Sequence, residues 1–264
     1  MFKSRRDVTL DVWELVLLTT ILGLVLWTTW RAGWQAANPQ PVQSAREMDY
    51  FRHRYGPYHF SDREEEWMIR DYFQDRRDGM FVDVGANHYK NASKTYYLET
   101  RLGWSGLAIE PQREFGADYA KFRPRTKFWP LFVSDVSNEN ARLYVLKEQP
   151  MGASSDKEFV EQFGQPDEVR DVPTITLNDL LDREGIRNID LLSMDIELHE
   201  PQALKGFAID RFKPALVCVE GLLPVRQRIL DYFAEHGYVV LGKYVWVDRE
   251  NLYFAPLGAT KTRQ

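Results

Sequence analysis

The stretch MFVDVGAN, residues 80–87, decides the fold. Met80, Phe81, Val82 and Val84 form a short run that is apolar on both faces except at Asp83, and Gly85 ends it. A strand buried on both sides belongs to a parallel sheet covered by helices, and its carboxyl end is where such a sheet binds a ligand. Downstream, helical and strand patterns alternate. ASKTYYLETRLG (92–103) predicts a helix, SGLAIEP (105–111) a second strand, and REFGADYAKF (113–122) a helix. TKFWPLFVS (126–134) predicts one strand interrupted by Pro130. LNDLLDREG (177–185), EPQALKGF (200–207) and PVRQRILDYFAEHG (224–237) predict helices around the strands IDLLSMDI (189–196) and PALVCVE (214–220). YVVLGKY and NLYFAPL have no helix between them, which predicts an antiparallel hairpin at one edge. The expected domain, residues 61–264, is therefore α/β, with a mainly parallel sheet and helices on both faces.

Upstream of that domain, SDREEEW (61–67) has the spacing of a capping box, Ser61 with Glu64, and opens a helix that Gly79 closes. Residues 31–60, with Pro39, Pro41, Gly56 and Pro57, read as a linker. Residues 12–30, VWELVLLTTILGLVLWTTW, carry Glu14 as their only charge and span about 28 Å as a helix, close to the hydrocarbon thickness of a bilayer. They predict a single-pass transmembrane anchor after a short tail, residues 1–11, with tryptophans at both interfaces.

The chain has 264 residues, 44% hydrophobic and 28% charged, enough for one sizeable domain with an appendage. A net charge of −5 argues against a nucleic-acid binder, and one cysteine excludes an internal disulfide or a Cys-rich zinc site. The paired basic residues Arg52-His53-Arg54, Arg76-Arg77 and Arg123-Pro124-Arg125 read as solvated faces or as contacts to anionic headgroups.

The strand ends carry the chemistry. Asp83 closes the first, Glu110 the second, Ser134-Asp135 the third and Asp195-Ile196-Glu197 the fourth. Gly85 is followed by Ala86-Asn87-His88 without further glycines, so a pyrophosphate cradle is poorly supported and a nicotinamide-dependent oxidoreductase is a weak alternative. Glu110 remains placed to accept hydrogen bonds from ribose hydroxyls. A ligand with a ribose, a positive charge and no phosphate satisfies both facts, and S-adenosylmethionine is such a ligand. Glu110 is then expected on the ribose, Asp135 on the adenine amine, and Asp83 with Asn87 at the amino-acid end.

DVGAN (83–87), GWSGLAIEP (103–111), the Ser134-Asp135 pair and MDIELHEPQALKG (194–206) together resemble the FkbM-type methyltransferases, a class I S-adenosylmethionine-dependent family. The resemblance implies a Rossmann-like sheet and methyl transfer, typically to oxygen. It implies cofactor contacts at Asp83, Gly85, Asn87, Glu110, Ser134 and Asp135. Members commonly carry glycine where this chain has Tyr89 and Leu198, so Tyr89 is expected near the methionine pocket. If both changes disable catalysis, the alternative is a non-catalytic membrane-anchored interaction protein with the same fold.

A hydroxyl acceptor needs a base for its proton. Asp195 and Glu197 alternate about Ile196 and in extended backbone point to one side, so one of them is the expected base, with Glu200 orienting the acceptor. An oxygen-liganded Mg²⁺ on Asp195, Glu197 and Glu200 is a lesser reading, and no metal is expected. The acceptor is expected to be a carbohydrate, lipid-linked glycan or other small molecule. MGASSDKEFVEQFGQPDEVRD (151–171) reads equally as an acceptor-binding lid or a solvated loop. Basic residues before the span favour a cytoplasmic N-terminus, but the supply of S-adenosylmethionine is cytoplasmic, so the domain is expected to face the cytoplasm.

Overall fold

The structure, a computed structural model, describes residues 42–148 and 150–259. The expected anchor at residues 12–30 lies outside the described residues, and among those described no helix is long and apolar enough to cross a membrane. The chain divides into two units, residues 1–48 and 49–264. In the first, the described residues 42–48 are helical. All that follows concerns the second.

Its frame is a seven-stranded sheet of order β3-β2-β1-β7-β8-β10-β9. The strands are β1 (Met80–Val84), β2 (Ser105–Ile109), β3 (Thr126–Trp129), β7 (Leu191–Met194), β8 (Leu216–Glu220), β9 (Tyr238–Val240) and β10 (Asn251–Pro256). β3, β2, β1, β7 and β8 pair in parallel, while β10 runs antiparallel to both β8 and β9. The expected hairpin is present, with β9 at the edge. The chain moves outward from β1 to β3, then returns to β7 beside β1, and that reversal opens a crevice at the carboxyl ends of β1 and β7.

Side-chain alternation explains the two-faced burial. Val82, Val84, Leu107, Ile109, Leu192, Met194, Val217 and Val219 join one core with Leu180, Leu204, Ile229 and Phe233 of three covering helices. The intervening residues face the other side, where Asp83 pairs in register with Ala108 and Ser193, and Ser193 with Cys218. Those neighbours are small, which leaves room for a buried polar side chain there. The helix Glu65–Phe73 packs against β8 and buries Trp67, Met68 and Ile69.

Several expectations change. The segment read as a linker holds the helix Val42–Tyr55, whose Phe51 and Tyr55 are buried. No capping box forms at Ser61: its Oγ accepts the N–H of Glu66, 3.1 Å away, and the helix ends at Phe73, well before Gly79. Pro130 does not merely interrupt a strand. It separates β3 from β4 (Phe132–Val133), which joins a second sheet, β4-β6-β5, with β5 (Asn140–Val145) and β6 (Glu168–Ile175). Proline has no N–H to continue the ladder, so the chain leaves one sheet and enters another. Arg52-His53-Arg54 and Arg76-Arg77 are exposed as expected, but Arg123 is fully buried.

Candidate active site

One cavity of about 380 Å³ opens at the crevice, lined by the loops after β1, β2, β7 and β8 together with the second sheet. Gly85 makes its floor possible. It has φ +80, and a Cβ there would fall 1.8 Å from the Asp195 carbonyl oxygen. Glycine thus lets the β1 and β7 loops touch, rather than merely clearing space for a ligand.

At one end lies Glu110, 4% exposed. Its Oε2 accepts the Asn87 N–H at 3.1 Å, and its Oε1 accepts the Gln112 N–H at 2.9 Å and the Gln112 side-chain amide at 3.2 Å. A carboxylate offers about four lone-pair sites, so these three bonds leave capacity for a ligand hydroxyl. Burial pushes its pKa up to about 7 despite these donors. Asn87, at φ +46, turns the loop so that its N–H reaches Glu110. Asp83 also lines the cavity, 3% exposed, and accepts the Thr95 hydroxyl at 2.8 Å. Burial raises its pKa, and Lys94 opposes the rise.

Ser134 and Asp135 do not line this cavity. Ser134 Oγ lies 3.3 Å from His199 Nε2, and Asp135 accepts a hydrogen bond from the Gln202 side chain. Burial pushes the His199 pKa down. Tyr89 is also outside: its ring stacks on Phe122 at 4.8 Å and its carbonyl accepts from Arg123 at 2.8 Å.

The other end is acidic. Asp195, Glu197 and Glu220 each bring a carboxylate oxygen within 4.8 Å of the others. The expectation that Asp195 and Glu197 converge holds, but for another reason, because the chain is not extended there. Glu197 and Leu198 sit at φ +55 and +75, and this left-handed turn folds Glu197 back over Asp195. Two successive non-glycine residues in that region store strain of about 1–3 kcal/mol each, as functional sites do. Glu200 is fully buried and is not among the residues lining the cavity; its Oε1 accepts the Ile196 N–H at 2.9 Å, so it braces the turn. Of the oxygen set considered for a divalent ion, Glu200 is thus replaced by Glu220.

Glu220 was missed, although it carries the same signal as the others: an acid at the end of a strand, here PALVCVE. Lys94 was missed without a signal. Its Nζ donates to Asp195 Oδ2 at 2.6 Å across 101 residues of sequence, and the side chain is nearly buried. Burial works against its charge, but Asp195 and Glu65 outweigh it and hold its pKa well above the ordinary value. Burial first, then neighbouring carboxylates, push Glu197 up to about 8 and Glu220 up to about 10.

The cavity wall also carries partly exposed side chains, charged at Asp62, Arg63 and Glu250 and apolar in one segment. Met151, Phe159 and Phe163 of the insertion between β5 and β6 line the cavity there, with Met151 and Phe163 about half exposed. Ser154 Oγ donates to the Glu197 carbonyl at 2.8 Å and ties that insertion to the acidic end. Of its two readings, the segment lines the cavity.

A family model described as the methyltransferase FkbM domain matches residues 83–240. Among solved structures, a precorrin-6y C5,15-methyltransferase from Geobacter metallireducens is 10% identical, covers 73% of this chain and 87% of its own, and has a TM-score of 0.43. A methyltransferase from Geobacter sulfurreducens is 16% identical, covers 86% of this chain and 97% of its own, and has a TM-score of 0.40. No curated protein matches the chain.

Proposed function

The chain belongs to the FkbM methyltransferase family, and from that premise we propose that it transfers a methyl group from S-adenosylmethionine to a hydroxyl of an acceptor bound at the acidic end of the cavity. One observation carries the reading: Glu110 and the Asp195–Glu197–Glu220 group line the same cavity. A cofactor at one end and an acceptor at the other would therefore meet without crossing solvent.

The residues present fit the cofactor. Glu110 has hydrogen-bonding capacity left for ribose hydroxyls, and Asn87, Asp83 and the close β1–β7 contact at Gly85 would surround the remainder. When bound, S-adenosylmethionine supplies an electrophilic methyl on a sulfonium. The protein's own work is to hold the acceptor in line and take its proton. Asp195, Glu197 and Glu220 are the groups within reach, with Glu200 bracing the turn beneath them. Tyr89 and Leu198 do not line the cavity, although Leu198, at φ +75, forms part of the turn that carries Glu197. Ser134 and Asp135 would touch the cofactor only if the ligand extends past the walls seen here.

The polyhydroxyl acceptors of the sequence reading, a carbohydrate or lipid-linked glycan, suit a cavity whose wall carries the hydrogen-bonding acids Asp195, Glu197 and Glu220. Anchorage through residues 12–30 with the domain facing the cytoplasm rests on the sequence alone, and protease treatment of sealed vesicles of each orientation tests it. For the reaction, calorimetry with S-adenosylhomocysteine and with NADH is the first test. Binding of NADH alone would sink the proposal. Labelled S-adenosylmethionine incubated with a native extract would then identify the methylated product.

A further inference from the structure

The end of the helix Val42–Tyr55, residues 49–55, belongs to the same unit as the large sheet, yet none of it lines the cavity. Phe51 and Tyr55, one turn apart, are buried, and the positions between them are exposed: Arg52, His53 and Arg54. Tyr50 is about half exposed, and Tyr58, just past the helix, is 88% exposed. The turn at residues 242–247 adds the exposed Lys243 and the half-exposed Trp246. The two segments are fixed to each other. Asp71, itself buried, accepts the Tyr55 hydroxyl at 3.2 Å, the Tyr244 hydroxyl at 2.8 Å and the Lys243 ammonium. That ammonium lies 5.8 Å from the ring centres of both Tyr50 and Phe51. Arg52, Arg54 and Lys243 outnumber Asp49, the exposed acid of these segments. Exposed Tyr and Trp among basic residues suit a membrane–water interface, where rings sit at headgroup level and cations meet lipid phosphates. Eleven residues, 31–41, separate the helix from the apolar run 12–30, a tether of at most about 40 Å.

We propose that this face, formed by Tyr50, Arg52, Arg54, Tyr58, Lys243 and Trp246, rests on the anionic lipid headgroups of the bilayer in which residues 12–30 are anchored. The inference rests on the anchor reading and is independent of methyl transfer. It also gives the cavity a direction. Asp62 and Arg63 follow Tyr58 closely, Glu250 follows Trp246 closely, and all three line the cavity, with Arg63 and Glu250 paired at 2.8 Å. Glu250 precedes Asn251, which pairs in register with Glu220, so these residues border the acidic end. A domain docked on this face would hold that end beside the headgroups, where an acceptor carried by the membrane is presented.

The full chain in lipid nanodiscs tests this. Cys218 is buried, so a fluorophore can be attached at Tyr58→Cys, with Arg187→Cys, in the loop after the helix Leu177–Arg183, as the reference site. With a quencher on the lipid headgroups, the Tyr58→Cys label should be quenched several-fold more than the Arg187→Cys label when phosphatidylserine is present. Each basic residue at an anionic surface is worth about fivefold in binding, so Arg52→Gln with Arg54→Gln should lower the ratio of docked to undocked domain by about 25-fold. Nanodiscs of phosphatidylcholine alone should lose the contact as well. Equal quenching at the two sites overturns the proposal, as does quenching indifferent to phosphatidylserine and to the arginine substitutions. Shielding of the Tyr58→Cys label that appears only with added soluble extract would assign the face to a protein and also overturn it. A chain that does not enter nanodiscs overturns the anchor reading and this inference together, whereas failure to bind S-adenosylhomocysteine would count against the methyl-transfer reading alone.

Discussion

Arg123 and Lys94 are both buried cations fastened to the same short segment, and they are surrounded in opposite ways. Arg123, with no exposed surface, donates to Glu99, to the Tyr89 carbonyl at 2.8 Å, to the Thr95 carbonyl and hydroxyl at 3.2 Å each, and to Thr126. Its partner Glu99 also accepts the Arg125 N–H at 2.8 Å and the Thr126 hydroxyl. Donors and acceptors balance. Such a network is structural, and it clamps the chain on both sides of Lys94. Around Lys94 the acids outnumber the cations, and Glu200 Oε2 and Glu220 Oε2 are buried without a hydrogen-bond partner. Unsatisfied buried groups are costly, and they persist where a site uses them. The same fold thus keeps one saturated ion pair to hold a loop and one undersupplied cluster to do chemistry.

Stability should separate the two most sharply. Arg123→Met strands the Glu99 carboxylate in the interior and should cost about 3–5 kcal/mol in urea unfolding, or prevent folding. Lys94→Met should cost less than half of that, because the Asp195 side chain is 31% exposed and can be hydrated. Equal losses would break the distinction.

Activity should order the acids. Asp195→Asn should lower single-turnover methyl transfer by ~10²–10⁴-fold, the usual loss with a general base. Glu197→Gln keeps a donor and should lose less. The reverse order would assign the base to Glu197. At the other end of the cavity, Glu110→Ala should weaken S-adenosylhomocysteine binding by about 1.5–3 kcal/mol by calorimetry, since it removes a charged acceptor. Unchanged affinity in a folded variant would remove Glu110 from the cofactor site.

The buried acids at both ends of the cavity, and Glu200 behind them, should also show in the pH dependence of stability. Glu110 and Glu200 are pushed up to about 7, Glu197 to about 8 and Glu220 to about 10, all chiefly by burial. Between their ordinary value near 4.5 and those folded values, the native state binds protons that the unfolded chain has lost. Stability against urea should therefore fall as pH rises from about 5 to 8. Glu220→Gln should flatten that fall, and an unchanged slope would show that Glu220 is already ionised. The smallest effect is expected outside the cavity. Tyr89→Ala gives up its stack on Phe122, about 1 kcal/mol of stability, and should leave S-adenosylhomocysteine affinity unchanged.

Most of the sheet was legible because each parallel strand announces itself through a short continuous apolar run, and the acids at the strand ends come with the strands. MFVDVG, SGLAIEP and IDLLSMDI needed only their own apolar runs to be recognised as strands, and the pairing of the first with the other two came from the structure. The second sheet was not legible, since β4 has two residues and β6 alternates weakly, and both are recruited by pairing across sequence. Asp83, Glu110 and Asp195 could be named as site residues from position alone. Glu220 could have been named in the same way.

What the sequence by itself determined is the succession of strands and helices along the chain and the carboxylates at the strand ends, while the place where the strand order reverses came from the sheet topology. Only the tertiary structure decided which of those carboxylates share a charge, because that depends on groups far apart in the chain. Lys94 reads as an ordinary surface lysine in ASKTYY until the loop after β1 lays it beneath Asp195. Arg123 reads as part of a solvated basic pair until Glu99 and Thr95 enclose it. Local patterns report burial of apolar faces, which repeats every two or four residues. Ion pairing has no period, and burial amplifies it wherever the fold happens to bring opposite charges together.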